Sequence, residues 1–299
     1  MSNENISAEV TANAPVYKRR KGIWAKRSRI IILSLVFFFL YAPILSLVVY
    51  SFNGSKMMTV WGGFSFKWYG VLINDSQMMN AVGVSLIIAF SSACMSVLIG
   101  TLAAIVLARI PKFRGESMFA LFVTAPMVLP DVIIGLSLLL LFVTMSDLFG
   151  WPEKGKLTIW MAMVTLTSSY VTVIIRSRLK ELDYSLEEAA QDLGAGPVKT
   201  FLFITLPLIM PAIISGWLLA FTLSMDDLII TSFVSGPSSS TLPMVVFSSV
   251  RRGLNPEINA LATIIVFIVS MCTFSYWLFR VRKEKKKKLD MLMAESKSS

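Results

Sequence analysis

Six stretches of this 299-residue chain, at about 30–50, 81–108, 117–145, 157–175, 208–234 and 258–279, are long and almost free of charge. A helix rises 1.5 Å per residue, so about 20 apolar residues cross the ~30 Å hydrocarbon core of a bilayer. Each stretch is close to that length or exceeds it, and the longer ones have residues to spare for tilt, a bend or an end outside the membrane. Backbone polar groups in lipid must pair within the segment, which makes these stretches helices. The period-two alternation of a membrane β-barrel is absent. The expected fold is an all-α integral membrane protein with six transmembrane helices.

Composition agrees and excludes whole classes of function. Hydrophobic residues make up 55% and charged residues 15%, against about 25% charged in a soluble domain. There is no histidine, so imidazole-based triads, metal sites and proton shuttles are ruled out. The two cysteines, Cys94 and Cys272, sit inside apolar runs and read as small buried hydrophobes.

Basic residues set the direction of the spans. Of 28 Lys and Arg, 22 lie in four segments: before span one, between spans two and three, between spans four and five, and after span six. Lys and Arg accumulate on the cytoplasmic side, so both termini of this multi-pass protein are expected in the cytoplasm. Residues 1–29 then form a partly disordered cytoplasmic segment, 30–280 the six-span domain with a cytoplasmic loop at 176–207, and 281–299 a basic cytoplasmic tail. The first apolar run is too long for a cleaved signal, and no small-residue cleavage site follows it. The net charge of +10 is accounted for by topology and anionic lipid, so no nucleic-acid partner is expected.

Residues 150–156, Gly-Trp-Pro-Glu-Lys-Gly-Lys, fit half of a phosphate-binding loop. Leu157 replaces the Ser or Thr that would hold Mg²⁺, no buried strand precedes the segment, and topology places it outside. The segment reads as a turn, and any ATP would be handled by another subunit.

The fourth connection carries more information. It reads Glu187-Glu188-Ala189-Ala190-Gln191-Asp192-Leu193-Gly194-Ala195-Gly196-Pro197 and, nine residues after Gly194, Ile204-Thr205-Leu206-Pro207. Asp183 or Ser185 can cap a helix whose first turn holds Glu187 and Glu188. Gly194 and Gly196 can end that helix, and Pro197 can start the next. Small Ala189 and Ala190 let a partner's surface approach closely.

This pattern, E-A-A, three residues, G, nine residues, I-x-L-P, resembles the signature loop of permease subunits of binding-protein-dependent ABC importers. The resemblance implies the six-helix, MetI-like architecture of type I importers. It also implies that Glu188, Ala189, Ala190, Gly194, Ile204, Leu206 and Pro207 form the loop that docks on a cytoplasmic ATPase. ATP and Mg²⁺ would be bound by that partner, leaving this chain without a cofactor, a metal or a catalytic residue of its own. Further partners implied are a homologous permease subunit, a second ATPase copy and a periplasmic binding protein.

Three acids fall inside the spans: Asp131, Asp226 and Asp227. A carboxylate at membrane depth costs about 2.5–3.5 kcal/mol on insertion scales, so it faces a partner or a wet cavity. Counting residues along spans three and five puts these acids at similar depth in the outer half. Two roles are open, a carboxylate-lined cation path and interhelical hydrogen bonding. Pro126, Pro130, Pro207, Pro211 and Gly216 favour bends near them. Tyr170, well inside span four, is the aromatic best placed to offer a ring face to a cation.

Longer strings resemble the polyamine branch of the same family, closest to the second inner-membrane permease of bacterial putrescine importers. They include Lys67-Trp68-Tyr69, Pro130-Asp131-Val132-Ile133, Ser224-Met225-Asp226-Asp227 and Ser232-Phe233-Val234-Ser235-Gly236-Pro237. The function implied is ATP-driven uptake of putrescine or a related polyamine. Alternatives are a permease for another small cation or amine, and an ATP-independent secondary carrier. Alkaline phosphatase fused after Lys56 or Lys154 should be active in cells, and fused after Asp183 or Arg280 inactive. The opposite pattern would overturn the orientation.

Overall fold

The computed structural model describes residues 23–57, 60–110, 113–253 and 255–298. The chain is helical: α1 (Ile23–Ser51), α2 (Lys67–Asn74), α3 (Ser76–Arg109), α4 (Glu116–Val128), α5 (Asp131–Phe149), α6 (Lys156–Glu181), α7 (Ser185–Asp192), α8 (Pro197–Thr200), a π-helical turn (Phe201–Thr205), α9 (Leu206–Asp226), α10 (Ile229–Val234), α11 (Leu242–Arg252) and α12 (Pro256–Ser298). Among the described residues the extended pairing is one isolated bridge, Asn53 with Phe64.

Among the described residues six helical segments are long and apolar enough to cross a membrane: Arg27–Ser51, Ser76–Arg109, Asp131–Phe149, Lys156–Glu181, Pro197–Asp226 and Pro256–Lys285. Two depart from the sequence expectation. The stretch at 117–145 is two helices, because Pro130 lacks an amide proton and pushes Leu129 into extended backbone (ψ 144°). The stretch at 208–234 ends at Asp226 and resumes as the short α10. The amphipathic α11 (Leu242–Arg252) and the short α2 lie between spans; neither is long enough to register as one. Helix α12 continues through much of the basic tail. The segment before Ile23 lies outside the described residues.

The core is built where α3, α6 and α9 pack. Ala93 and Ala104 of α3, Val171, Ile175 and Leu179 of α6, and Ile209 and Ala220 of α9 are buried together. A second cluster joins Val84 and Ile88 of α3, Ile134 and Phe142 of α5, Ile159 to Leu166 of α6, and Ile230 and Val234 of α10. A third, between α2, α11 and the outer ends of α3 and α12, is centred on Trp68, Leu72, Leu242 and Leu261. The indole Nε1 of Trp68 donates to the Asn53 carbonyl at 2.7 Å, and Tyr69 Oη lies 2.8 Å from Ser51 Oγ. These two aromatics therefore hold the outer loop on the helices.

Lipid gives two apolar helices little reason to associate, so small residues and hydroxyls do the joining. Ser96 Oγ lies 2.7 Å from Thr167 Oγ1, linking α3 to α6, and Ser92 Oγ donates to Ser224 Oγ at 3.1 Å, linking α3 to α9. Ser85 Oγ accepts from Leu242 N at 2.7 Å. Gly100 is a close approach of α3 to α6: a Cβ there would stand 2.8 Å from Val171 Cγ1 and 3.1 Å from the Thr172 amide. Helix α1, by contrast, has no buried residue in its apolar window and packs on α12.

Overpacking at such a contact costs typically ~1–3 kcal/mol. Gly100→Leu should therefore lower the thermal transition of the purified protein in detergent well below that of the wild type. Substitution of exposed Leu102, 66% accessible on the isolated chain, by Ile should leave it unchanged.

Candidate functional site, a cytoplasmic loop and three intramembrane acids

The loop between α6 and α9 folds as its residues dictate. Asp183 Oδ1 accepts from the Ser185 amide at 3.0 Å and turns the chain into α7. That hydrogen bond holds the Asp183 carboxyl below the usual carboxylate range. A depressed folded value stabilises the turn above the ordinary Asp range, and the stabilisation is lost as pH falls through it. The turn is therefore intact across physiological pH. Glu187 and Glu188 occupy the first turn of α7, where the helix dipole favours negative charge.

The helix ends in a Schellman motif. Ala195 N donates to Ala190 O at 3.0 Å and Gly194 N to Gln191 O at 2.8 Å, with Gly194 left-handed at φ +86°. This is the arrangement in which glycine avoids the Cβ penalty. Gly196 is extended and Pro197 takes the first position of α8. From Pro197 the chain is helical without interruption to Asp226. Ile204 lies in the π-helical turn, and Leu206 and Pro207 open α9.

One edge of α7 is exposed and the other is tied to the spans. Glu188 and Ala189 are exposed, while Glu187 and Ala190 are half-buried. Apolar Leu193 and Phe203 stand out at 90% and 74% exposure. Glu187 meets Arg109, the last residue of α3, with Nη2 at 2.9 Å and Nε at 3.1 Å from Oε1. Thr205 Oγ1 donates to the same oxygen at 3.0 Å. Sequence reading counted Arg109 only as a topological charge and Glu187 only as a first-turn acid. Nothing in a linear pattern pairs residues 78 positions apart.

Of the acids, two are brought together. Helix α10 packs on α5 so closely that a Cβ on Gly135 would meet Phe233 and Ile230, which sets the first turn of α5, with Asp131, beside Asp227 and within its electrostatic reach. Val234 O accepts from Thr158 Oγ1 at 2.7 Å, so α10 finishes at the outer end of α6. Asp227 lies seven residues back, about 10 Å deeper at helical rise. Asp227 Oδ2 accepts from the Thr231 amide at 2.8 Å, and Thr231 Oγ1 donates to Asp227 O at 2.9 Å. That carboxylate holds the start of α10 and is half-buried. Asp226, the last residue of α9, and Asp131 are exposed on the isolated chain. Tyr170 is half-buried against the α3–α5–α6–α10 cluster, 14 residues into α6.

Six helices long and apolar enough to cross a membrane, with a helix–glycine–helix loop between the fourth and fifth, are the features of an inner-membrane permease component. The chain belongs to the binding-protein-dependent transport system inner membrane component family, whose model matches residues 96–287. It is 60% identical over 267 residues to the putrescine transport system permease protein PotI of Escherichia coli (strain K12), covering 89% of this chain and 95% of that one. It is 40% identical over 233 residues to the spermidine/putrescine transport system permease protein PotC of the same organism, covering 78% and 86%. Among solved structures, a chain of a bacterial ABC transporter that imports the acidic polysaccharide alginate shares the fold, with TM-score 0.65 at 16% identity over 89% of this chain and 99% of that one.

The geometry separates two roles for Asp227. Loss of a capping carboxylate costs about 1 kcal/mol, and Asn caps as well as Asp. Asp227→Ala should lower thermal stability in detergent while Asp227→Asn stays near wild type. Equal stability of all three would remove the capping role.

Proposed function

We propose that this chain is one permease half of an ATP-driven importer that carries putrescine or a related polyamine across the bacterial inner membrane. The observation that carries this reading is 60% identity over 95% of the length of a putrescine permease. In this reading the chain pairs with a homologous permease, and two copies of a cytoplasmic ATPase bind and hydrolyse ATP. A periplasmic binding protein delivers the substrate. The outer cleft between α2 and the start of α12, lined by Lys67, Trp68, Arg252 and Glu257, lies on the face that this protein would approach. Both termini are cytoplasmic, and lipid surrounds the spans.

Transport is by alternating access. Closure of the ATPase dimer moves α7, whose outward edge of Glu188 and Ala189 seats on the ATPase while Ala190 and Gly194 set its packing and its end. Ile204, Leu206 and Pro207 join that movement to α9. The membrane cavity opens outward, receives the polyamine and reopens inward after hydrolysis. Carboxylates suit such a passenger, since a diamine carries a positive charge at each end. The span interiors hold no Lys or Arg to repel it. Asp226 and Asp131 are the exposed acids available to it. Asp227, engaged by Thr231, tunes their field more than it grips cargo, and Tyr170 lies further along the path.

Labelled putrescine uptake in the source cells should vanish on deletion of this gene, and the wild-type signal should be competed by spermidine but not by lysine. Unchanged uptake would refute the substrate. Glu188→Lys should abolish uptake with the protein still inserted. Asp226→Asn should cut uptake about tenfold or more if the carboxylate meets an ammonium in a desolvated path, with complex assembly intact. Normal uptake in either variant would sink the role given to that residue.

A further inference from the structure

Helix α7 is oddly placed for a part that must carry force. It has eight residues and none of them is buried. A free helix of that length is unstable in water, and apolar packing does not fix this one. Its principal neighbours are α8 and the π-helical turn, which lie on its own loop. What ties it to the membrane helices is polar. Tyr184 and Glu187, three residues apart and so on one side of the helix start, both engage Arg109. The guanidinium carbon lies 5.5 Å from the Tyr184 ring centroid, and the fork meets Glu187 Oε1. Thr205, at the end of the π-helical turn, donates to that same oxygen.

The pair is not a surface ion pair. Arg109 and Glu187 side chains are 16% and 13% exposed, a setting in which charge pairs are screened little and each partner depends on the other. Three chain segments meet at one oxygen: the inner end of α3, the start of α7 and the entry to α9. Helices α3 and α9 both contribute to the buried core around α6 and are cross-linked again farther along α3 through Ser92 and Ser224.

We infer that Arg109 is a positioning residue for coupling: with Glu187 and Thr205 it locks the loop helix α7 to the inner ends of α3 and α9, so that a push on α7 moves both spans as one body. Without the node, α7 still docks on the ATPase but swings between the turn at Asp183 and the break at Gly194, and the stroke is dissipated. This rests on the coupling role proposed above for the loop. It adds a residue outside the signature and a second span to which the motion is delivered.

The test uses the complete complex of this chain with its permease partner, ATPase and binding protein, in proteoliposomes. Two readouts are taken. One is putrescine moved per ATP hydrolysed. The other is the width of the distance distribution between spin labels at Gln191 and Leu102, with Cys94 and Cys272 changed to Ser. Arg109→Ala and Glu187→Ala should each lower the transport ratio at least about fivefold, the low end of a typical coupling energy, and broaden the distribution. The exchanged pair Arg109→Glu with Glu187→Arg should recover most of both. If Arg109→Ala fails to assemble, the same readouts are taken in Arg109→Lys and Glu187→Gln, which are expected to fall in the same direction. An unchanged ratio, an unchanged width, or an exchange no better than the single variants would overturn the proposal. A wild-type complex that hydrolyses ATP without moving putrescine would refute the substrate instead, and the width would still decide the node.

Discussion

In hydrocarbon a backbone N–H or C=O finds no water, so every interruption of a helix must be satisfied by the protein itself. The chain interrupts its spans at two places within the membrane, after Val128 and after Asp226, and each break is closed locally. At the first, Pro130 has no proton to lose, and its carbonyl accepts from Ile133 and Ile134 at 2.9 and 3.2 Å. At the second, the Asp227 carboxylate takes the Thr231 amide and the Thr231 hydroxyl takes the Asp227 carbonyl. The two breaks face each other because α10 lies on α5. The region where the acids gather is thus the region where regular helix stops.

The same constraint shapes the contacts between helices. Hydroxyls whose alternative is to stand unpaired in lipid become links between helices, as in Ser96 with Thr167 and Ser92 with Ser224. At Gly100 the α3 backbone comes against Val171 with no room for a side chain. In the loop beyond the spans water returns and the logic changes. There α7 is placed by charge, ring face and a left-handed glycine, with little buried apolar surface.

What could be read from the sequence follows the same division. Hydrophobic length fixes the six crossings and Lys/Arg asymmetry their expected direction, because both depend on composition along a line. The loop helix was legible from Glu187, Glu188 and Gly194, since capping and termination are local. The division at Leu129 and Pro130 was signalled by the proline, but only as a bend. The end of α9 at Asp226 was hidden because Leu228 to Val234 is as apolar as what precedes it. Helix α11 was missed because eleven residues ending in Arg251 and Arg252 look like a loop beside a 20-residue span. Among site residues, the three acids stood out by their cost in lipid. The capping of α10 by Asp227 and the meeting of Arg109 with Glu187 and Thr205 exist only in three dimensions.

The continuity of Pro197 to Asp226 carries a mechanical consequence. Thirty helical residues make a rod about 45 Å long, with the loop at one end and a carboxylate at the other. A pivot of ~10° about its midpoint would carry each end ~4 Å, at a rise of 1.5 Å per residue. The chain bends sharply just beyond the rod, and Asp227 and Asp131 sit on the far side of that bend, on elements pinned to α6. The three acids therefore divide into one on the lever and two on its mounting. A tilt of the rod would change the spacing between Asp226 and the other two acids without any intermediate part.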